Sequence, residues 1–367
     1  MPSAKSGLTR RSWITSSLAL LSLPAEAESQ GGLVSLALNE NPFGPSPRAT
    51  SAIAAEVANL CRYSGGEADA LVRKIVTREN ISADTIVLGE ILDLLGLYLA
   101  LDGGAGGEFV YSEPGYTALV DAVAPVGGVV VGVPLNAALE NDLSAISARV
   151  GARTRAVYLV NPHNPSGTVS NAATFRHFVR ELARKTTVIV DEAYLEYLPD
   201  FAARSVVDLT RAGENVVVFR TFDKIYGLAG LAFGYAIAPA KLAAALKRKG
   251  IGAPHSLNRL TLAAASASVD DEGFVAATRM KVTAEREKWN AFFDRHQIRH
   301  SAATANFVFF ETRKPQQEIA DFLQARGLKI ARAFPPLDRW VRITVGLPIE
   351  NAAAREAIKA LLRPTAP

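Results

Sequence analysis

The sequence predicts an α/β protein built on a largely parallel sheet between helices, with a smaller α+β domain towards its C-terminal end. Two observations carry that expectation. From Leu33 onward, short β-branched runs alternate with Ala- and Leu-rich stretches of helical period, the pattern of successive β-α-β crossovers. Several of the apolar runs also stop abruptly at polar clusters, which puts polar side chains at the carboxyl edge of a sheet, where ligands of open α/β proteins sit. A chain of 367 residues, 49% hydrophobic and 21% charged, is long enough for a large domain and a smaller one.

In chain order, Lys5, Arg10 and Arg11 make a basic start, residues 13–23 are mostly apolar, and Ala25-Glu26-Ala27 matches a small-residue cleavage site. The apolar run is shorter than the ~20 residues a membrane span needs, so no stable membrane insertion is expected. Thr9-Arg10-Arg11-Ser12-Trp13-Ile14 resembles a twin-arginine export signal. Residues 1–27 are therefore read as a signal peptide and the mature protein as periplasmic. The alternative is a surface helix with two adjacent arginines and a cytoplasmic protein. Residues 28–50 are read as an N-terminal arm, 51–245 as the large domain and 246–367 as the small one.

Within the large domain, strands are expected at 108–112, 128–133, 156–160, 187–190, 216–219 and 235–238, with helices at 116–124, 141–150 and 171–185. A long helical region is expected to start at Pro239, a residue type suited to a helix's first turn, and to run to about residue 296. A strand at 307–311 follows. The net charge is +4, and half of it, from Lys5, Arg10 and Arg11 against Glu26, lies in the extreme N-terminus. The near-neutral remainder speaks against nucleic-acid binding. The single cysteine, Cys61, excludes an intrachain disulfide framework, and no Cys/His cluster has zinc spacing.

Four segments carry chemistry. Asn161-Pro162-His163-Asn164-Pro165-Ser166-Gly167 follows a strand and is dense in turn formers, so it is either a ligand loop presenting Asn164 or a plain turn. Val188-Ile189-Val190-Asp191-Glu192-Ala193-Tyr194 drives an apolar strand into an acidic pair. A buried Asp191 needs a cationic partner, for which a protonated pyridine nitrogen would serve; a helix N-cap is the other reading. In Arg220-Thr221-Phe222-Asp223-Lys224-Ile225-Tyr226-Gly227, Lys224 lies between a strand and a glycine-rich turn, where partial desolvation makes a lysine a usable nucleophile. Arg339-Trp340-Val341-Arg342-Ile343-Thr344-Val345-Gly346 sets Arg342 inside an apolar strand, where it needs an anion: a substrate carboxylate or a structural Asp/Glu.

These segments, in this order, resemble the fold-type I, class I/II aminotransferases that use pyridoxal 5'-phosphate (PLP), and within them the histidinol-phosphate aminotransferase group. The similarity runs from about Leu36 to Asn351. Leu38-Asn39-Glu40-Asn41-Pro42-Phe43-Gly44-Pro45-Ser46-Pro47 looks like that group's N-terminal segment, Arg62-Tyr63 like its Arg-Tyr-Pro element, and Glu113-Pro114-Gly115-Tyr116 like the loop whose aromatic residue stacks on the ring. The resemblance implies that Lys224 holds the cofactor as a Schiff base and shuttles its proton. It implies Asp191 at the pyridine nitrogen, Asn164 and Tyr194 at the phenolic oxygen, and Tyr116 on the ring face. It further implies Tyr63 and Thr221 at the phosphate, with Tyr63 reaching into a partner subunit, hence a homodimer. Arg342 would take the substrate carboxylate, with Arg332 and Asn41 near the substrate. The implied reaction moves an amino group from a small-molecule amino donor to a 2-oxo acid. Other PLP reactions on the same fold and a non-catalytic exported binding protein are the alternatives.

Three features depart from the family at the phosphate of PLP. The usual Gly-Ser-Asp-Glu turn is shortened to Gly89-Glu90-Ile91-Leu92, Asp223 precedes the lysine in place of serine or threonine, and Ala232 stands where an arginine is expected. The last change removes a charge-assisted bond worth on the order of 1.5–3 kcal/mol.

Overall fold

The computed structural model describes residues 32–362; the segment expected as a signal peptide lies outside them. A seven-stranded sheet forms the centre, with strands in the order β2-β8-β7-β6-β5-β3-β4. These are β2 (Ile86–Leu88), β3 (Glu108–Glu113), β4 (Val129–Pro134), β5 (Thr154–Val160), β6 (Thr187–Asp191), β7 (Val216–Thr221) and β8 (Gly234–Ile237). From β4 to β7 all pairings are parallel, and β8 runs antiparallel to both β7 and β2. The residues of β7 are all buried, as are all but Thr187 of β6. Helices cover both faces of such a sheet, which is why these strands read as continuous Val/Ile runs rather than alternating ones.

The helix Ala172–Ala183 illustrates the local logic. Asn171 caps it by accepting the Thr174 N–H at 3.1 Å, and Phe175, Val179, Leu182 and Ala183 fall on the one buried face, against β6 and β7. Two helical expectations differ from the structure. The stretch 116–124 is helical only over Ala118–Asp121, because Pro125 follows in a 3-10 turn that ends at the left-handed Gly127. The long region after Pro239 is three helices, Ala240–Arg248, Arg259–Val269 and Glu272–Arg295. Gly250 and Gly252 take left-handed φ values of 85° and 71° and stop the first. Asn258 and Asp271 cap the next two, each accepting backbone N–H bonds.

A second core lies around Trp289, Phe293, Phe310, Val341 and Ile343, under an antiparallel pair β9 (Phe307–Glu311) and β11 (Trp340–Thr344). The arm enters this unit as strand β1 (Val34–Leu36), parallel to β10 (Leu328–Ile330). On the helix Glu272–Arg295, Val275 and Val282 belong to the sheet's core, whereas Trp289 belongs to the second. The handover therefore falls within that helix. The division expected at 245/246 precedes it by a helix and a half.

A buried ion network ties the sheet's carboxyl edge together. Arg220 on β7 donates to Glu79 Oε1 (3.0 Å), to Glu192 Oε2 (2.9 and 3.1 Å) and to Ser205 Oγ (2.9 Å). Tyr235 donates to Glu79, and the Val206 N–H to Glu192. A step away, Glu196 accepts from Arg78 at 2.9 Å and from the Tyr226 hydroxyl at 2.5 Å. Side chains alternate across a strand, so Arg220 faces this network while Phe219 and Thr221 line the cavity on the other face.

Candidate active site

Just past the carboxyl ends of β3, β5, β6 and β7, a cavity of about 730 Å3 opens between the sheet and the second core. Asn164, Asp191, Tyr194, Tyr116, Thr221, Lys224, Arg332 and Arg342 all line it. Residues from one loop after β3, one after β5, the end of β6, the loop after β7 and strand β11 thus converge although they span 227 positions of sequence, Tyr116 to Arg342.

Asp191 ends β6 and is buried. Its Oδ1 accepts the Ala193 N–H at 3.0 Å and its Oδ2 the Tyr158 hydroxyl at 2.9 Å. No helix begins there, and no cation among the described residues pairs with it. Burial pushes its carboxyl up to about 6, against the lowering effect of those two bonds and of Lys224. The next residue, Glu192, points the other way, into the Arg220 network. Tyr194 is packed edge-on against Phe307 at 5.2 Å, and its hydroxyl receives the amides of Asn39 (3.0 Å) and Asn164 (3.4 Å). Two donors on that oxygen leave its own proton free to be donated into the cavity.

Lys224 lies four residues beyond the anchored Arg220 and two before the anchored Tyr226, so its loop is fixed on both sides. Its Nζ is 3.5 Å from the Leu38 carbonyl. Gly227, at φ 71°, lets the arm come close: a Cβ there would collide with the backbone at Gly44. Arg342 is buried, donates to Asn164 Oδ1 and at 2.6 Å to the Ala37 carbonyl, and has no carboxylate partner among the described residues. Its Nε is left without an acceptor, and desolvation lowers the guanidinium to about 10. Phe334 and Phe307 lie under it at 5.0 and 5.4 Å. Of the two anions left open for Arg342, the structural Asp/Glu is absent from this environment.

Thr221 lines the cavity, but its hydroxyl donates to the Phe233 carbonyl at 3.2 Å and accepts the Asp223 N–H at 3.0 Å. Asn41 does not line the cavity: its amide donates to the Ile225 carbonyl at 2.9 Å and its oxygen accepts the Phe43 N–H. Tyr63 is 87% exposed and away from the cavity. Arg332 lies at the rim over Phe334 at 4.9 Å. Two lining residues escaped notice as site residues in the sequence. Asn39, at φ 58°, turns inward to Tyr194, and nothing in the sequence separates it from Asn41. Glu90 stands at the cavity wall beside Asp223. Desolvation, then Asp223 and Asp191, push its carboxyl up to about 8, although cavity water reaches it.

An α/β fold whose sheet edge gathers a lysine amine, a buried carboxylate without a cation and a buried arginine without a carboxylate into one cavity has the arrangement of an enzyme's active site. The chain belongs to the aminotransferase class I and II family, whose match covers residues 32–361. It is 33% identical to the histidinol-phosphate aminotransferase of Limosilactobacillus fermentum over 89% of this chain and 90% of that one. It is also 33% identical to the aromatic amino acid aminotransferase of Corynebacterium jeikeium, over 94% and 93%. The structure of histidinol-phosphate aminotransferase from Sinorhizobium meliloti in complex with pyridoxal-5'-phosphate superposes with a TM-score of 0.82 at 29% identity, covering 97% of this chain and 99% of that one.

A carboxyl raised on folding costs stability as pH climbs. In the absence of cofactor, Asp191 contributes its full share only below about pH 4, and that share is lost between about pH 4 and pH 6 as the folded carboxyl ionises. Asp191→Asn is expected to raise stability near pH 7.5 by roughly 1–3 kcal/mol and to be neutral below about pH 3.5, as measured by urea unfolding of the cofactor-free protein. A loss of stability at pH 7.5 would mean that a cation holds Asp191 charged.

Proposed function

We propose that the cavity carries PLP on Lys224 and moves an amino group between a small amino acid or amine and a 2-oxo acid, with Asp191, Asn164, Tyr194, Tyr116 and Arg342 in the roles their chemistry fits. The observation that carries this reading is Asp191: a buried carboxylate without a cation, in the same cavity as a lysine amine. A pyridinium N–H supplies the missing partner, so the residues fit the ring of the cofactor. When bound, PLP supplies an electron-poor ring that withdraws the electron pair left at the substrate Cα. Asp191 keeps the ring nitrogen protonated. Tyr194 donates its free proton to the phenolic oxygen, supported by Asn164 and Asn39. Arg342, which lines the cavity and has no carboxylate partner among the described residues, orients the substrate by its carboxylate. Lys224 would hold the cofactor, and its Nζ as a free amine would be the base that moves the proton at the substrate Cα. Tyr116, 40% exposed at the mouth, has the aromatic surface to cover the ring.

Treatment with PLP and then borohydride is expected to leave a pyridoxyl mass on the peptide holding Lys224 and none in Lys224→Ala, whose aminotransfer is expected to fall by about three orders of magnitude or more. A label on another lysine, or undiminished transfer in the variant, would remove Lys224 from this role.

The protein is proposed to act as a homodimer. Tyr63, Val57 and Leu60 are 87%, 52% and 56% exposed and close in sequence, an apolar surface that a second copy would cover while delivering Tyr63 to its site. Sedimentation equilibrium should give twice the chain mass, and Tyr63→Ala should weaken PLP binding; a monomer with unimpaired PLP affinity would contradict both. Export by the twin-arginine route rests on Thr9-Arg10-Arg11-Ser12-Trp13-Ile14. Fractionated cells should hold the wild type in the periplasm and the Arg10→Lys, Arg11→Lys variant in the cytoplasm, and equal distribution of the two would refute the signal.

A further inference from the structure

Pyridoxal 5'-phosphate bears its phosphate arm beside the aldehyde carbon, across the ring from its phenolic oxygen. With the ring nitrogen at Asp191, the aldehyde carbon at Lys224 and the phenolic oxygen at Asn164 and Tyr194, the arm is directed to the opposite flank of the cavity. The charged lining residues there are Glu90 and Asp223, both acids. Glu90 belongs to this flank by its backbone: the Gly89 N–H before it bonds the Gly234 carbonyl at 2.9 Å, next to Phe233, whose N–H bonds Asp223. A dianionic phosphate set against two carboxylates is repelled.

The two acids are not equivalent. Asp223 Oδ1 accepts the Phe233 N–H at 3.1 Å, which commits it to holding the turn before β8. Glu90 forms no side-chain hydrogen bond or ion pair with another described residue and extends into the cavity from the turn at Gly89 (φ 123°). Thr221, the nearby hydroxyl, already donates to Phe233.

We propose that Glu90 meets the phosphate arm as a neutral carboxylic acid that donates a hydrogen bond to a phosphate oxygen, so that holding the phosphate is coupled to a proton on this side chain. The inference rests on the ring placement proposed above. The groups facing Glu90 favour the acid form. Asp223 follows β7, Asp191 ends β6, and Asp93 lies in the first turn of Glu90's own following helix; only Lys224 opposes them. Tyr116, from the loop after β3, is neutral through the pH range concerned because burial and these acids push it up. Desolvation first, then Asp223 and Asp191, push the Glu90 carboxyl up to about 8 although the side chain is open to the cavity, and a phosphate dianion arriving beside it pushes the same way. Above that pH the carboxylate forms and repels the arm, so affinity for the phosphate is lost as pH rises.

Pyridoxamine 5'-phosphate and pyridoxamine differ only in the phosphate and cannot condense with Lys224, so calorimetric titration of the full chain with each isolates the effect. From about pH 7 to about pH 9.5 the phosphate stays dianionic. The dissociation constant of pyridoxamine 5'-phosphate, divided by that of pyridoxamine, is expected to rise above about pH 8 towards a limit of about tenfold per pH unit. In Glu90→Gln the ratio should be flat, and the phosphorylated ligand should bind about tenfold tighter than to wild type near pH 9. A flat ratio in wild type, the same rise in Glu90→Gln, or a preference for pyridoxamine at every pH overturns the proposal. If both ligands bind with a flat ratio, only the proton coupling falls; if neither binds at any pH, the cofactor reading falls with it.

Discussion

The arrangement of the site depends on the buried guanidinium of Arg220. It lies on a strand whose residues are all buried, and Glu79 and Glu192 meet it from a helix and from the end of the neighbouring strand. Taking Arg220 away leaves Glu192 buried without its cation, at a cost of about 3–5 kcal/mol, so the network stands on the arginine. Holding Glu192 on one side of β6 fixes Asp191 on the other, because neighbours along a strand point to opposite faces. Holding Arg220 fixes the start of the loop that ends at Lys224, and Tyr226 bound to Glu196 fixes its far end. The chemistry on the cavity face is thus positioned by ion pairs on the face behind it.

The cavity that results is polar along its length. Lys329, Arg332 and Arg342 line the side formed by the second core, while Glu90, Asp191 and Asp223 line the side formed by the sheet, with Lys224 between. Arg342 is held without a carboxylate by a carbonyl, an amide oxygen and aromatic faces, weak acceptors that leave a buried cation unneutralised. A carboxylate arriving there recovers charge pairing in a desolvated place, where it is worth most. Asp191 presents the converse deficit. Each lacks the partner that a ligand with an anionic group and a cationic ring supplies, which is why the two ends are read together.

Much of this was legible in the sequence, for a physical reason. Asn164, Asp191, Lys224 and Arg342 each follow or interrupt an apolar strand, and a parallel sheet gathers strand ends at one edge. Six of the seven strands of the large sheet were found to within two residues, the inner ones because burial on both faces makes them uniformly apolar, whereas the three-residue edge strand β2 was too short to show a pattern. Arg220 and Glu192 were visible too, but a pattern of residue types does not tell which member of an acidic pair faces the ligand. Asn39 was passed over for Asn41 because the choice is set by one left-handed backbone angle. The break at residues 249–258 was hidden by the Ala-rich helices around it, although its glycines and the caps Asn258 and Asp271 were in plain sight.

Substrate choice is a separate matter from fold and cofactor. The chain is 33% identical both to a relative named for histidinol phosphate and to one named for aromatic amino acids, so overall likeness does not select between those substrates. In the proposed roles, the sheet-edge residues hold the ring, which the different substrates have in common. On that reading discrimination falls to the rim, where Leu38 and Arg332 are exposed, away from the network behind β6 and β7. The acidic flank at Glu90 and Asp223 lies nearer the ring than that rim. On the proposed reading a change there acts on the cofactor first, because Asp223 and Asp191 both push the Glu90 carboxyl up while Lys224 pulls it down. A carboxylate at that wall therefore sets the charge that an anionic arm meets, whichever substrate the rim admits.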